Sequence, residues 1–195
     1  MDELIEQVDE QDRVLGVVRR SEAVRRRWLH RVAVTLCHDR DGRLLVHQRS
    51  PRASRFPGCY EVAVGGAVAV GESYEEAARR ELAEEMGLDV PVRFVLAFLS
   101  QQGLSPHWLA VHEASVLGTV SPDPDCVTRH DWLAVSELSE FMQLQPFTPD
   151  SGPLLDRYLL ATRRCASTSG PGPVEWTLPH TADDQEGAKP SPVTW

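Results

Sequence analysis

Between Gly66 and Leu88 the chain runs GAVAVGESYEEAARRELAEEMGL, a glycine turn feeding one short helix, and few folds accommodate that order. Ser73 stands three residues ahead of Glu76. In this capping-box spacing hydroxyl and carboxylate satisfy each other's backbone amides, so the helix begins at Tyr74. Gly87 ends it, because glycine takes the left-handed conformation that closes a helix. Ala78, Leu82 and Met86 recur at four-residue intervals and form the buried stripe. Glu81, Glu84 and Glu85 stand three and four residues apart, so their carboxylates crowd one neighbouring face. For three glutamates alone, a solvated acidic surface is the plainer reading. Hard divalent cations, Mg²⁺ above all, take oxygen ligands from one or two carboxylates plus substrate phosphates, and a glycine turn just ahead of the helix favours such a site.

Gly66, five residues, Glu72, seven residues, then Arg80-Glu81-Leu82-Ala83-Glu84-Glu85-Met86-Gly87-Leu88 resembles the Nudix box of the Nudix hydrolases. The match holds at nine fixed positions across twenty-three residues, far more specific than a lone glycine motif. The resemblance implies an α/β fold, a Nudix-type α/β/α sandwich around a mixed sheet. It implies Mg²⁺ or Mn²⁺ held by Glu81, Glu84 and Glu85 with the backbone around Gly66, and cleavage of a diphosphate linkage by water. Glu81 and Glu85 are the expected catalytic carboxylates. Arg80 is expected to pair with Glu72 or another carboxylate and tie loop to helix.

Ahead of the box, Leu4 to Val18 alternates weakly, with Asp12-Arg13 as the tip of a short hairpin. Arg19 to Arg27 gathers arginines, either as a solvated face or as a rim that steers phosphates toward the acidic site. Val32 to Cys37 and RLLVHQR are strands joined by the Asp41-Gly42 hairpin turn. Ser50 to Gly58 is a Pro-, Gly- and Arg-rich loop, and Arg49, Arg52 and Arg55 are candidates to hold a phosphate. Tyr60 to Val64 reads as a further strand. Beyond the helix, Val92 to Leu99, Trp108 to Leu117 and His130 to Ala134 read as strands. Ser136 is a candidate cap for a short helix, and another helix follows Asp150-Ser151, with Leu154, Leu155, Tyr158 and Leu159 as its apolar face.

Nudix proteins often place a further acidic residue in a loop before the last strand, in a Glu-Val pair. This chain has Cys126-Val127 there, which leaves Asp123, Asp125 and Glu113 as substitutes. Asp125 is closest in sequence and is the candidate base. His30 and the segment FPGCYEVAVGG resemble isopentenyl-diphosphate isomerases of the same superfamily. The isomerases carry a cysteine a few residues past FPGC for proton transfer. Tyr60-Glu61-Val62-Ala63-Val64 has none, so hydrolysis is the expected chemistry, and His30 reads as a core or supporting residue. A non-catalytic module that binds a nucleotide or metabolite is the third reading, opposed by the intact box.

The 195 residues suffice for one well-cored domain, expected over residues 29–165 after an N-terminal extension of residues 1–28. From Ala166 the composition turns to Pro, Gly, Ser and charge, which reads as a disordered tail, with Trp176 and Trp195 as the exception, two residues able to dock on a surface. A net charge of -9 argues against stable nucleic-acid binding. A small-molecule diphosphate is the expected partner, with the protein a monomer or homodimer. No apolar run approaches a membrane span, and the N-terminus lacks a signal-peptide pattern. Four scattered cysteines with no C-x-x-C pair point to a reduced cytoplasm.

Overall fold

A computed structural model describes residues 2–167, so most of the expected tail lies outside the described residues. Strands β1 (Leu4–Val8) and β2 (Val14–Arg19) form an antiparallel hairpin, and Asp12 at its turn takes a φ of 62°. Helix α1 (Arg20–Arg26) follows directly. The hairpin is joined to the rest of the fold by partly buried polar contacts. Arg31 bonds both Glu6 (2.9 Å) and Asp12 (2.7 Å), and Trp108 donates to the Asp9 carbonyl.

The main sheet holds seven strands. Strand β3 (Arg31–His38) runs parallel to β8 (His107–Ser115) and antiparallel to β6 (Val64–Ala67), and β8 pairs with β7 (Arg93–Ser100). Strand β4 (Leu44–Arg49) pairs with β5 (Tyr60–Glu61) and β9 (Val127–Leu133). β3 and β4 touch only at His38↔Leu44, beside the Asp41-Gly42 turn. Beyond that pair the two strands splay, β3 taking β6 as its neighbour and β4 taking β5 and β9.

This splay explains why Tyr60 to Val64 is two strands and not one. β5 completes the edge of β4, whereas β6 must reach β3, so the chain turns at the buried Val62. The second residue of β6, paired with Val34, is also constrained. A Cβ at Gly65 would sit 2.1 Å from the Ala33 carbonyl oxygen.

Helix α2 (Tyr74–Met86) covers one face, burying Ala77, Ala78, Leu82 and Met86. Helices α3 (Val135–Leu144) and α4 (Ser151–Ser167) cover the other, where Leu138, Leu154, Leu155 and Tyr158 pack on Leu36, Leu109 and Val111. The result is a mixed sheet between helices, a single α/β/α domain. Without a capping hydroxyl at Ala134, α3 is started by Glu137, which accepts from the Ala134 amide at 2.8 Å. No helix among the described residues is long and apolar enough to cross a membrane.

Candidate active site

Local sequence fixes the acidic wall of the cleft. The Ser73–Glu76 capping box is complete, and Gly87 closes α2 at φ 64° with its amide on the Ala83 carbonyl. One end of the glycine turn is clamped by Glu72, which accepts from the Ala69 amide (2.8 Å) and receives Arg80 through Nε (2.8 Å) and Nη2 (3.0 Å). A two-pronged guanidinium–carboxylate pair sets direction as well as distance. Arg80 also donates to the Ala67 carbonyl, Glu81 (2.8 Å) and Glu84 (3.3 Å). It therefore braces β6 against α2 and lies along the flank of the carboxylates.

Gly66 and Glu81 meet in the middle. A Cβ at Gly66 would fall 2.4 Å from Glu81 Oε1, so only glycine leaves that carboxylate its place. Glu81 is 12% exposed, and burial first, then the charges of Glu84 and Glu3, push its carboxyl up against the opposing pull of Arg80. Glu85 is pushed up to about 8 by burial and by the charges of Glu81 and Glu61. No donor pairs with the Glu85 carboxylate among the described residues. Glu84 is the outlying member, 61% exposed and held by Arg80.

The rest of the lining is mixed, with Asp2 and Glu3 beside three arginines and Glu3 paired with Arg20 at 2.9 Å. Arg20, Arg49 and Arg55 line the cleft opposite Glu81, Glu85 and Gly66. Arg49 donates to Glu61 (2.8 Å) and to the Arg55 carbonyl (3.0 Å), so it shapes the loop as well as charging the cleft. Arg55 is half-buried without a carboxylate partner among the described residues, and burial followed by the charge of Arg20 lowers its pKa. Phe56, at φ 46°, holds a conformation that is costly for a side chain of its size, in a loop tied by Ser50 to Cys126 and by Gln48 to Gly58.

The other sequence candidates spread outward. Arg52 and Asp125 face each other at 3.9 Å, both more than 80% exposed, on the rim. Cys126 stands nearer the carboxylates, and its thiol is pushed up by burial and then by the charge of Glu85. Asp123 stays on its own loop and receives the Asp125 amide. Glu113 lies elsewhere on β8, bound by Arg93 and Tyr158. Arg25 and Arg26 pair with Glu22, away from the cleft. Residues that sequence reasoning passed over are Glu61, His107 and Asp150, whereas Arg20 belongs to the arginine run read as a solvated face or a phosphate-steering rim. Glu61 and His107 had one visible signal, a polar residue set among apolar strand neighbours.

A family model described as the NUDIX domain matches residues 28–158. The chain belongs to the Nudix hydrolase family. An uncharacterized Nudix hydrolase of Streptomyces coelicolor is 39% identical over 176 residues, covering 89% of this chain and 95% of its own. A prenyl-diphosphate phosphatase of Methanosarcina mazei is 30% identical over 152 residues, 75% of this chain and 89% of its own. A crystal structure from Deinococcus radiodurans superposes with a TM-score of 0.71 at 30% identity, over 80% of this chain and 99% of that one. This Nudix protein is accordingly an enzyme of the class that hydrolyses acid anhydrides, and the family generally uses a divalent metal.

The donor set suits such an ion. Both carboxylates are mostly buried and held up, Glu81 by burial and the charges of Glu84 and Glu3 and Glu85 by burial and the charge of Glu81, and a cation beside them would relieve both burial and repulsion. Among the described residues no three His, Cys, Asp or Glu side chains are grouped so as to hold an ion by themselves, so phosphate oxygens and water would have to complete its shell.

Proposed function

We propose that this chain hydrolyses a diphosphate linkage in a nucleoside diphosphate derivative or a related small metabolite, with Mg²⁺ or Mn²⁺ bound at Glu81, Glu84 and Glu85 beside the Gly66 backbone. The observation that carries the reading is Glu85, a mostly buried carboxylate without a protein partner, facing three arginines across the cleft. A bound divalent ion would neutralise phosphate charge and lower the pKa of an attacking water. The chain's own residues supply the rest. Arg20, Arg49 and Arg55 draw the phosphates in and oppose their charge. Glu81, held against Gly66 and Arg80, orients or accepts a proton from the water. Arg52 and Asp125 contribute from the rim, where Asp125 is the further acidic group.

A cytoplasmic setting is part of the same proposal, supported by free thiols at Cys37, Cys59 and Cys126.

The test is phosphate release from nucleotide sugars, ADP-ribose, dinucleotides, coenzyme A, nucleoside triphosphates and prenyl diphosphates, with Mg²⁺ or Mn²⁺ and with chelator. Turnover with metal, lost with chelator, is expected. Glu85→Gln should lower kcat by about a hundredfold or more while the far-UV spectrum stays unchanged. Wild-type rates in Glu85→Gln and Glu81→Gln would remove the mechanism. Tight binding of one compound without turnover of any would make the protein a binding module instead.

A further inference from the structure

The residues just ahead of β1 enter the cleft. Asp2 and Glu3 line it together with Arg20, Arg55, Glu81 and Glu85. Glu3 Oε2 lies 2.9 Å from Arg20 Nη1, so the partner of a cleft arginine is already a carboxylate, the side chain whose charged oxygens come nearest to those of a phosphate. Both ends of this contact are anchored. The Arg20 amide donates to the Glu3 carbonyl at 2.9 Å, and the Ser21 hydroxyl donates to Asp2 at 2.6 Å. On the other side Ile5 bridges to Ala69, and the Gly71 amide donates to Glu6 at 3.2 Å. The segment carrying Glu3 is thereby pinned between α1 and the turn that follows Gly66.

The three cleft arginines are unequally available. Arg49 is held by Glu61, which is mostly buried, and Arg55 has no carboxylate partner among the described residues. Arg20 has a partner that is 36% exposed and able to yield to an incoming anion.

We propose that Glu3 is an internal competitor for phosphate: it occupies Arg20 and weakens anion binding in the cleft, whatever organic group the anion carries. The competition rests on the diphosphate reading above and adds what limits the affinity of that site for phosphate. An anion that reaches Arg20 must part Glu3 from it or share the guanidinium at close like-charge contact. The charge of Glu3 also acts on Arg55 and Glu81. A partly exposed pair is weak, so the carboxylate limits affinity without closing the site. Substrate and product phosphates meet the same opposition, and the effect falls on KM and on product inhibition together. If Glu3 instead served to aim Arg20 at the phosphate, its removal would weaken binding; competition predicts the opposite sign.

The test is calorimetric binding of methylenediphosphonate, a diphosphate analogue whose bridging carbon resists hydrolysis, with Mg²⁺, to wild type, Glu3→Gln, Glu3→Ala and Glu10→Gln. Each Glu3 variant should bind about fivefold more tightly than wild type. Glu10→Gln, an exposed change of the same charge on the same hairpin, should bind as wild type does. Where a diphosphate is hydrolysed, Glu3→Gln should lower KM by the same factor for substrates with unlike organic groups. If Glu3→Ala fails to fold, Glu3→Gln, which keeps an acceptor for Arg20, decides. Unchanged or weaker binding in Glu3→Gln overturns the competition, and so does binding by none of the proteins. An equal gain in Glu10→Gln also overturns it, because the effect would then be one of net charge. The hydrolytic reading fails separately, by the absence of turnover, since binding of the analogue requires none.

Discussion

The two walls of the cleft are built in opposite ways. The acidic wall comes from one stretch, in which Ser73 caps onto Glu76, Glu72 clamps Arg80 and Gly66 makes room for Glu81. The wall facing it is gathered from separate segments, with Arg20 from the start of α1, His30 ahead of β3, Arg49 and Arg55 from β4 and its loop, and His107 and Asp150 from farther on. The carboxylates proposed to bind the metal are thus set by local backbone geometry, whereas the groups facing them depend on how distant segments close.

The sharpest break of that comparison uses two adjacent glycines. At Gly65 an added Cβ meets backbone, the Ala33 carbonyl at 2.1 Å and Val34 Cα at 2.7 Å, so β3 and β6 must part. Gly65→Ala should cost about 3 kcal/mol, read as a lower midpoint in urea. At Gly66 the added Cβ meets the tip of Glu81 at 2.4 Å, a side chain that can move. Gly66→Ala should stay within about 1 kcal/mol of wild type in stability yet lose about a hundredfold in turnover, because a carboxylate displaced by an ångström no longer serves the reacting water. Equal stability losses in the two variants would mean that Glu81 is as rigid as the sheet, and that the acidic wall is structural.

That contrast also separates what could be read in advance. The helix bounds, the cap, the closing glycine and the Arg80–Glu72 pair follow from spacings of a few residues, where the sequence is itself a map of distance. The hairpin at Asp12 and the strand at β3 were legible for the same reason. The break between β5 and β6 was not, because it arises from the splay of β3 from β4, a tertiary event with no local signal. Nor was the cleft position of Arg20 visible within a run of arginines, of which Arg25 and Arg26 pair with Glu22. Arg49, Arg52 and Arg55 looked equivalent along the chain, and only the loop's path places two inside and one on the rim.

The walls should also respond to pH with opposite signs. His30 in the folded state lies at about 4, below its unfolded value of 6.5, so the unfolded chain binds the proton first on acidification. Its contribution to stability is present above 6.5 and is lost as pH falls toward 4. Glu85 lies at about 8 against 4.5, so its contribution is present below 4.5 and is lost as pH rises toward 8. Each unit of difference corresponds to about 1.4 kcal/mol. Urea midpoints of the metal-free protein should therefore decline between pH 6.5 and 8 in wild type and decline less in Glu85→Gln, where the raised Glu81 carboxyl remains. The decline from pH 6.5 to 4 should be smaller in His30→Gln than in wild type. A variant profile parallel to wild type in either window would place that residue's shift in the wrong wall.

The smallest effect belongs to the rim, where the two walls nearly meet. Arg52 and Asp125 are 86% and 84% exposed and 3.9 Å apart, and exposed pairs of this kind contribute at most about 1 kcal/mol. Solvent screens a phosphate approaching Arg52, whereas Arg55 meets it half-buried. Arg52→Ala is therefore expected to raise KM by no more than about threefold, with kcat unchanged, and less so at high salt. Asp125→Asn divides two cases. With the loop in the position seen here, the carboxylate stands too far into solvent to take a proton in the cleft, and turnover should fall by no more than about twofold. A loss of about a hundredfold at saturating substrate would mean that the loop from Ser121 to Val127 swings inward on substrate, carrying Asp125 toward Glu85 past Cys126. The choice of base would then rest on a motion of the wall assembled from distant segments, and the division of labour between the two walls would hold only for the open cleft.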